Sequence, residues 1–346
     1  MFLEIKRKVE QEFVNYTKSS DKLYRLSSIS PLLFNNIKEY LYRKGKRVRP
    51  ILFAVGYLGY SKNPAPGLYR SAVSLELLHD FMLVHDDIID KSDTRRGKPS
   101  MHAMFNAYLS RYKGAKFSGQ DLTIIAGDVM FAMAMDTFLS IKETPKRKEA
   151  GLKKLIEAAF YTGSGEFIEL INGLKNIEKT SKEDIYKVYD LKTANYTFAS
   201  PLTMGATLAG AKKREIDKLF KFGIYVGRAF QIKDDIIGIF SSEEEIGKPN
   251  LTDIKEGKIT LLIWQAFRNT NNKNRAIIKN ILAKNNANRN DLLALRKVIA
   301  GSGALETAKK EINDLILRGN KILVGLKMSA RYKESLDGYI NELLNS

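Results

Sequence analysis

Along most of the chain, apolar residues recur three or four positions apart with charged residues between them. Segments 32–44, 70–90, 122–141, 149–173, 183–195, 215–240 and 304–326 follow this spacing, which predicts amphipathic helices. Apolar–polar alternation bounded by hairpin turns, the mark of strands, is hard to find. Turn residues punctuate the helices at Ser30-Pro31, Asn63-Pro64-Ala65-Pro66-Gly67, Arg96-Gly97-Lys98-Pro99 and Gly247-Lys248-Pro249-Asn250. Residues 269–290, rich in Asn and Lys, read as a polar, partly flexible connection. There is no clear internal repeat, but an Asp-Asp pair opens an apolar helical turn at 86–87 and again at 234–235. The expected fold is all-α, a single helical-bundle domain over residues 1–346.

Composition narrows the class. The 346 residues are 44% hydrophobic, which suits a packed core and argues against disorder. The longest apolar stretch, Ile124 to Leu139, is interrupted by Asp128 and Asp136, so no membrane span is expected. The opening residues MFLEIKRKVEQEF mix acids and bases and lack the apolar run of a secretory signal. There are no cysteines, which excludes disulfides, thiolate zinc sites and a cysteine nucleophile. That fits a reducing cytosol, so a cytoplasmic location is expected. The net charge of +18 attracts anions: nucleic acid, anionic membrane or phosphorylated metabolites. A solvated basic surface accounts for most of the lysines.

The two acidic clusters carry the chemistry. The first reads Leu83-Val-His-Asp86-Asp87-Ile-Ile-Asp90, with Asp86 and Asp90 one helical turn apart on a shared face. Acids amid Leu, Val and Ile are costly unless paired or metal-bound. Oxygen ligands select hard cations, and magnesium is commonly held by one or two carboxylates plus a phosphate. An isolated DDxxD is more simply a solvent-facing helix end. The second cluster, Phe230-Gln231-Ile-Lys-Asp234-Asp235-Ile-Ile-Gly238, repeats the pair. Two such clusters suggest two facing helices sharing a metal cluster, as in bundle-core metal sites. Basic groups flank them: Arg95-Arg96 after the first, Lys46, Arg47 and Arg49 upstream, and Lys192, Lys248 and Lys258 nearer the second. Together they make a site for diphosphate held on magnesium.

An ordered set of segments carries a family resemblance. GKRVRP at 45–50, ELLHDFMLVHDDIIDKSDTRRGKPS at 76–100, AGD at 126–128, GE at 165–166, KT at 192–193, FQIKDDIIG at 230–238 and GKPNLTDIKEGKIT at 247–260 resemble the trans-isoprenyl diphosphate synthases. The resemblance covers most of residues 45–260, and within the family the chain resembles the geranylgeranyl diphosphate synthases. It implies a helical bundle of the isoprenoid synthase type with a central active-site cavity. It implies three magnesium ions per site, two on Asp86 and Asp90 with Asp87 in support, and a third on Asp234 with Asp235 and Asp253 in support. Arg95, Lys192, Lys248 and Lys258 match positions holding the allylic diphosphate; Lys46, Arg49, His79 and Arg96 match those holding isopentenyl diphosphate. Thr193 and Gln231 match positions near the developing carbocation. The chain departs from the pattern at Gly238, where many members have a third aspartate, and at Glu166 and Glu169, where glutamine and aspartate are common.

The implied reaction is ionisation of an allylic diphosphate (dimethylallyl, geranyl or farnesyl), condensation with isopentenyl diphosphate, and proton elimination. The growing tail would run past residues preceding Asp86. In the family, an aromatic five positions before the first aspartate, here Phe81, with no second aromatic at the fourth position, here Met82, resembles the type that stops at geranylgeranyl diphosphate (C20). Farnesyl (C15), C25 and longer products are the alternatives. Leu78 or Ser74 is the alternative tunnel floor, and both aromatics and methionines are by default ordinary core residues. A terpene cyclase is the nearest rival, but its (N/D)DxxSxxxE motif fails at Gly238 and Ser242. A noncatalytic subunit usually loses acids or arginines that this chain keeps. Nucleic-acid binding rests on charge alone, without a recognisable signature. The resemblance implies a homodimer, with at most peripheral contact with an anionic membrane.

Overall fold

The computed structural model describes residues 1–241, 254, 256–284 and 286–345. It is almost entirely helical, as the apolar spacing dictates, and divides into two compact units. The first comprises Met1–Leu155 with Pro201–Ala211, the second Ile156–Ser200 with Lys212–Ser346.

The first unit is built on α1 (Phe2–Tyr24), α2 (Leu26–Ile29), α3 (Pro31–Leu41), α4 (Val48–Leu58), α5 (Leu68–Ile89), α6 (Met101–Leu109) and α7 (Gly119–Phe138). Helix α5 packs most extensively on α7, and also on α4 and α1. It is apolar through its middle because both flanks are covered: Ala72, Val73, Leu75, Leu77 and Leu78 are all inaccessible to solvent. Helix α1 was not foreseen from the spacing because charges dominate it. Even so, Ile5, Val9, Phe13 and Tyr16 are buried at helical intervals. Among the described residues the only sheet is a two-residue ladder, β1 (Thr94–Arg95) against β2 (Lys98–Pro99), with Arg95 opposite Lys98. Arg96 and Gly97 form its tip with φ of 56° and 70°, the left-handed pair of a type I′ hairpin turn.

Helix α8 (Pro145–Gly173) contains the boundary between the units. The second unit continues with a 3₁₀ turn (Ile177–Lys179), α9 (Lys182–Tyr189) and a π-helical segment, Asp190–Ala199. Helix α10 (Ser200–Leu208) belongs almost wholly to the first unit. Then follow α11 (Lys213–Phe240), α12 (Leu261–Arg268), α13 (Asn272–Leu282), α14 (Arg289–Gly301), α15 (Ala304–Val324) and α16 (Ala330–Asn345). Helix α11 is the centre, packed on α15 and on the π segment. The core joins Ala229, Ile232 and Ile239 of α11 to Leu261, Leu262 and Ile263 of α12 and Leu295 and Ile299 of α14.

The polar connection expected over 269–290 is instead largely helical. Asn271 caps α13 by accepting from the Asn274 backbone N–H, and Ile278 and Ile281 bury themselves one turn apart. Asparagine at the cap and isoleucine on one face suffice for a short helix even when the other faces are Lys and Asn. No helix among the described residues is long and apolar enough to cross a membrane.

Candidate active site

In the first unit, α5 carries the first acidic motif at its C-terminal end, with Asp90 as the capping residue. Asp86 and Asp90 are partly exposed, while Asp87 is fully buried. The Arg95 Nε donates to Asp87 Oδ1 at 2.6 Å and the Tyr40 hydroxyl donates to Oδ2 at 3.3 Å. Arg95 Nη2 also reaches Asp86 Oδ2 at 3.4 Å. Burial raises the proton affinity of Asp87, against the opposing pull of the Arg95 guanidinium. The hairpin is therefore the device that returns Arg95 to the helix end. Arg43 holds the hairpin in turn, donating to the carbonyl oxygens of Arg95 at 3.3 Å and Pro99 at 2.8 Å.

The same unit gathers the residues matched to isopentenyl diphosphate. Loss of water around His79, and the charges of Arg49 and Arg96 beside it, hold its imidazole well below the usual range. It is thus neutral among arginines. The Gly45-Lys46-Arg47 turn adjoins Arg96: a Cβ at position 45 would lie 3.7 Å from the Arg96 guanidinium. Lys46 is exposed and Arg49 half-buried. Arg47, which the resemblance left without a role, is buried and structural. It sits at φ 54° at the start of α4 and donates to Glu76 Oε1 at 2.6 Å and to the Arg43 carbonyl at 2.6 Å.

Five residues before Asp86, the Phe81 ring lies 4.8 Å from the His85 ring and 5.3 Å from that of Phe131 on α7. His85 Nδ1 bonds the Phe81 carbonyl at 2.9 Å. The ring of His85 explains the AGD segment: a Cβ at Gly127 would stand 2.2 Å from it, so only glycine admits the imidazole. Met82 is half-buried, and Leu78 and Ser74 are fully buried. Phe131 is a residue that sequence reasoning missed. It lies on a different helix in no recognisable motif, and its place beneath Phe81 is visible only in the packing.

In the second unit, the π segment presents Lys192 and Thr193. Lys192 Nζ pairs with Glu166 at 2.5 Å and Glu169 at 2.6 Å, so the two departures on α8 both serve this lysine. Lys258 Nζ lies 3.9 Å from Glu169 and 2.5 Å from Glu256. The Thr193 hydroxyl donates to Gln231 Oε1 at 2.6 Å, and Gln231 Nε2 donates to Asp235 Oδ1 at 2.9 Å. The Tyr189 hydroxyl donates to the other Asp235 oxygen and accepts from the Leu261 backbone N–H at 2.8 Å. Burial, with Asp235 beside it, pushes the Tyr189 phenol well above its usual range, so it remains a donor. This chain of bonds lines a cavity of about 90 Å³ with Lys192, Lys258 and Glu169 on its wall. Asp234 is exposed and its neighbour Asp235 buried. The close approach of α11 to the π segment depends on Gly227, where a Cβ would fall 2.3 Å from the Ala194 backbone. Lys248 and Asp253 lie outside the described residues.

The donor set fits a hard cation in one particular way. Asp86, Asp90 and Asp234 offer only oxygens and are solvent-accessible, while Asp87 and Asp235 are engaged by Arg95 and Tyr189. Among the described residues, no three Asp, Glu or His groups converge to hold a metal by themselves. Such acids suit magnesium that completes its shell with water and a diphosphate.

The polyprenyl synthetase family model matches residues 30–299. The chain is 30% identical over 325 residues to the geranylfarnesyl diphosphate synthase of Aeropyrum pernix, covering 92% of this chain and 93% of that one. It is 29% identical over 282 residues to the short chain isoprenyl diphosphate synthase of Methanocaldococcus jannaschii, covering 82% and 77%. A solved structure of the Corynebacterium glutamicum geranylgeranyl pyrophosphate synthase, complexed with isoprenyl diphosphate and magnesium, superposes with a TM-score of 0.90. Its sequence is 25% identical, and the match covers 99% of this chain and 98% of that one. With its all-α isoprenoid synthase fold, the chain belongs to the polyprenyl synthetase family and is a prenyltransferase.

Proposed function

We propose that this chain condenses isopentenyl diphosphate head-to-tail with dimethylallyl, geranyl and farnesyl diphosphates and stops at geranylgeranyl diphosphate. Both units then serve one catalytic domain spanning 1–346. The observation that carries the product length is the Phe81–Phe131 ring pair. Phe81 is about 7.5 Å down the helix axis from Asp86 at 1.5 Å per residue, and Phe131 backs it at 5.3 Å. Two aromatic rings in contact form a firmer stop than one, while Met82 leaves the turn above open. The names of the relatives span short-chain, C20 and C25 products, so they support the reaction more strongly than its length.

Asp86 and Asp90 would hold two magnesium ions and Asp234 a third, each shared with substrate diphosphate. Magnesium, when bound, would neutralise the diphosphate and make it a better leaving group. Arg95, Lys192, Lys248 and Lys258 would hold the allylic diphosphate, and Lys46, Arg49, His79 and Arg96 the isopentenyl diphosphate. A neutral His79 would donate a hydrogen bond without adding charge. The Thr193–Gln231 bond fixes the amide, so its dipole would stay aimed at positive charge developing on the allylic carbon. Water would have to be excluded, because it would quench the cation.

A homodimer is part of this proposal. On α8, Ile156, Phe160, Phe167 and Ile171 are exposed at 48%, 68%, 67% and 45%, on a single face of the helix. An exposed apolar stripe of this kind fits a second copy of the chain. Sedimentation of the wild type as a dimer, and of Phe160→Glu/Phe167→Glu as a monomer, supports it; a monomeric wild type ends it.

The testing experiment incubates the protein with magnesium, labelled isopentenyl diphosphate and, separately, C5, C10 and C15 allylic diphosphates. The dephosphorylated products are then separated by length. A dominant C20 alcohol from all three starters is expected. A longer ladder would keep the reaction and discard the ring pair as the stop. A cyclic hydrocarbon from a preformed C15 or C20 diphosphate, with no condensation, would favour a cyclase.

A further inference from the structure

Beside Arg96 of the hairpin tip lies an ionic cluster of Arg47, Glu76 and Asp80. Glu76 and Asp80 are one turn apart on α5, and both are buried, Asp80 to 0% exposure. Arg47 Nη1 bonds Glu76 Oε1 at 2.6 Å. Arg96 Nη2 stands 3.7 Å from that same Glu76 oxygen and 3.7 Å from Asp80 Oδ1. These separations attract charge but are too long for hydrogen bonds. Among the described residues, neither Asp80 oxygen has a hydrogen-bond partner, and neither has Arg96 Nη1. A buried carboxylate with both oxygens unsatisfied is costly and calls for an explanation.

We propose that Asp80 is a positioning residue for Arg96: it fixes the guanidinium by charge while leaving its donors for an anionic diphosphate, and takes a proton from solvent when that anion binds. A hydrogen-bonded carboxylate would have to surrender its arginine to the ligand. A carboxylate at 3.7 Å steers the side chain without occupying its N–H groups. The left-handed backbone at Arg96 limits where else that side chain can go. Once an anion neutralises Arg96, Glu76 and Asp80 face each other with one cation fewer, and a proton on Asp80 restores the balance. The groups facing Asp80 are Glu76, Arg96, Arg47, Arg43 and Tyr40. Burial, then Glu76, raises its proton affinity to about 7 with the three arginines opposing, so uptake falls near neutrality.

This inference rests on the proposal that Arg96 holds isopentenyl diphosphate. The test measures KM for isopentenyl diphosphate and for the allylic substrate between about pH 6 and pH 8.5, in the wild type and in Asp80→Asn. In the wild type, KM for isopentenyl diphosphate should rise about threefold or more beyond any rise in the allylic KM, which corrects for titration of the shared headgroup. Asp80→Asn should flatten that excess and leave kcat within about threefold. The same excess in Asp80→Asn, or parallel shifts in both KM values, would overturn the proposal. Should Asp80→Asn fail to fold, wild-type calorimetry in two buffers of different ionisation heat decides. Proton uptake at pH 7 on binding isopentenyl diphosphate should exceed that on binding the allylic diphosphate, and equal uptake overturns the proposal. Absence of any condensation would instead defeat the underlying reaction.

Discussion

The two Asp-Asp segments look alike in sequence and are built differently. In both, the first acid faces outward and the second is buried, because consecutive residues on a helix point about 100° apart. The buried acid of α5 is held by a cation: Arg95, delivered by the hairpin. The buried acid of α11 receives hydrogen bonds from neutral groups, the Tyr189 hydroxyl and the Gln231 amide. The first pair also ends its helix, so a third acid, Asp90, falls at the cap one turn beyond Asp86. The second pair sits inside α11, with Gly238 where that third acid would be. One motif thus presents two accessible acids above a carboxylate paired with Arg95, the other a single acid beside a carboxylate that accepts from Tyr189 and Gln231.

The comparison breaks most visibly in turnover. Asp86→Ala should lower kcat about 10³-fold or more, and Asp234→Ala about 10²-fold, measured with saturating magnesium. Equal losses would erase the asymmetry, and near-normal Asp86→Ala activity would sink the metal assignment. Stability comes next. Asp87→Asn leaves the Arg95 charge without its buried partner and should cost about 3 kcal/mol. Asp235→Asn keeps a side chain within reach of the Tyr189 and Gln231 donors and should cost about 1 kcal/mol. Urea midpoints for the pair check this, and the reverse order contradicts the charged-versus-neutral distinction.

Product length sharpens what lies beneath the first motif. Phe81→Ala and Phe131→Ala should each shift the product from C20 toward C25 and beyond. An unchanged length in Phe81→Ala would move the stop elsewhere, to Leu78 or Ser74. The last effect concerns pH and stability. Asp80 binds its proton more tightly in the folded chain, at about 7, than at the ordinary carboxylate value of 3.8. Its contribution is therefore most favourable at low pH and is lost as pH rises through about 7. Between pH 5 and pH 8 the wild type should lose roughly 2–3 kcal/mol relative to Asp80→Asn, about two pH units at 1.36 kcal/mol each. A constant gap would mean that Asp80 ionises at the ordinary carboxylate value.

What the sequence disclosed follows how local each signal is. Helices α5 and α11 were legible because their apolar spacing and acid pairs lie within one segment. Helix α13 was not, because Asn and Lys outweigh Ile278 and Ile281 in any composition average. The π segment is invisible to a period of 3.6, since Leu191 to Phe198 satisfy either winding. Phe131, Glu76 and Asp80 gain meaning only from partners 50, 29 and 16 positions away, namely Phe81, Arg47 and Arg96, and those contacts are products of folding. Glu166 and Glu169 looked like departures from a pattern, yet both serve Lys192.

The wide winding of Asp190–Ala199 has a consequence for how the chain tolerates length changes. A π turn holds one more residue than an α turn over the same rise, so it behaves as a stored insertion. Deleting a single residue there should let the segment relax into ordinary α-helix without unfolding its neighbours. The relaxation would turn Lys192 and Thr193 by up to about 100° relative to the residues that follow. Few places in the molecule would lose so much alignment from so small an edit.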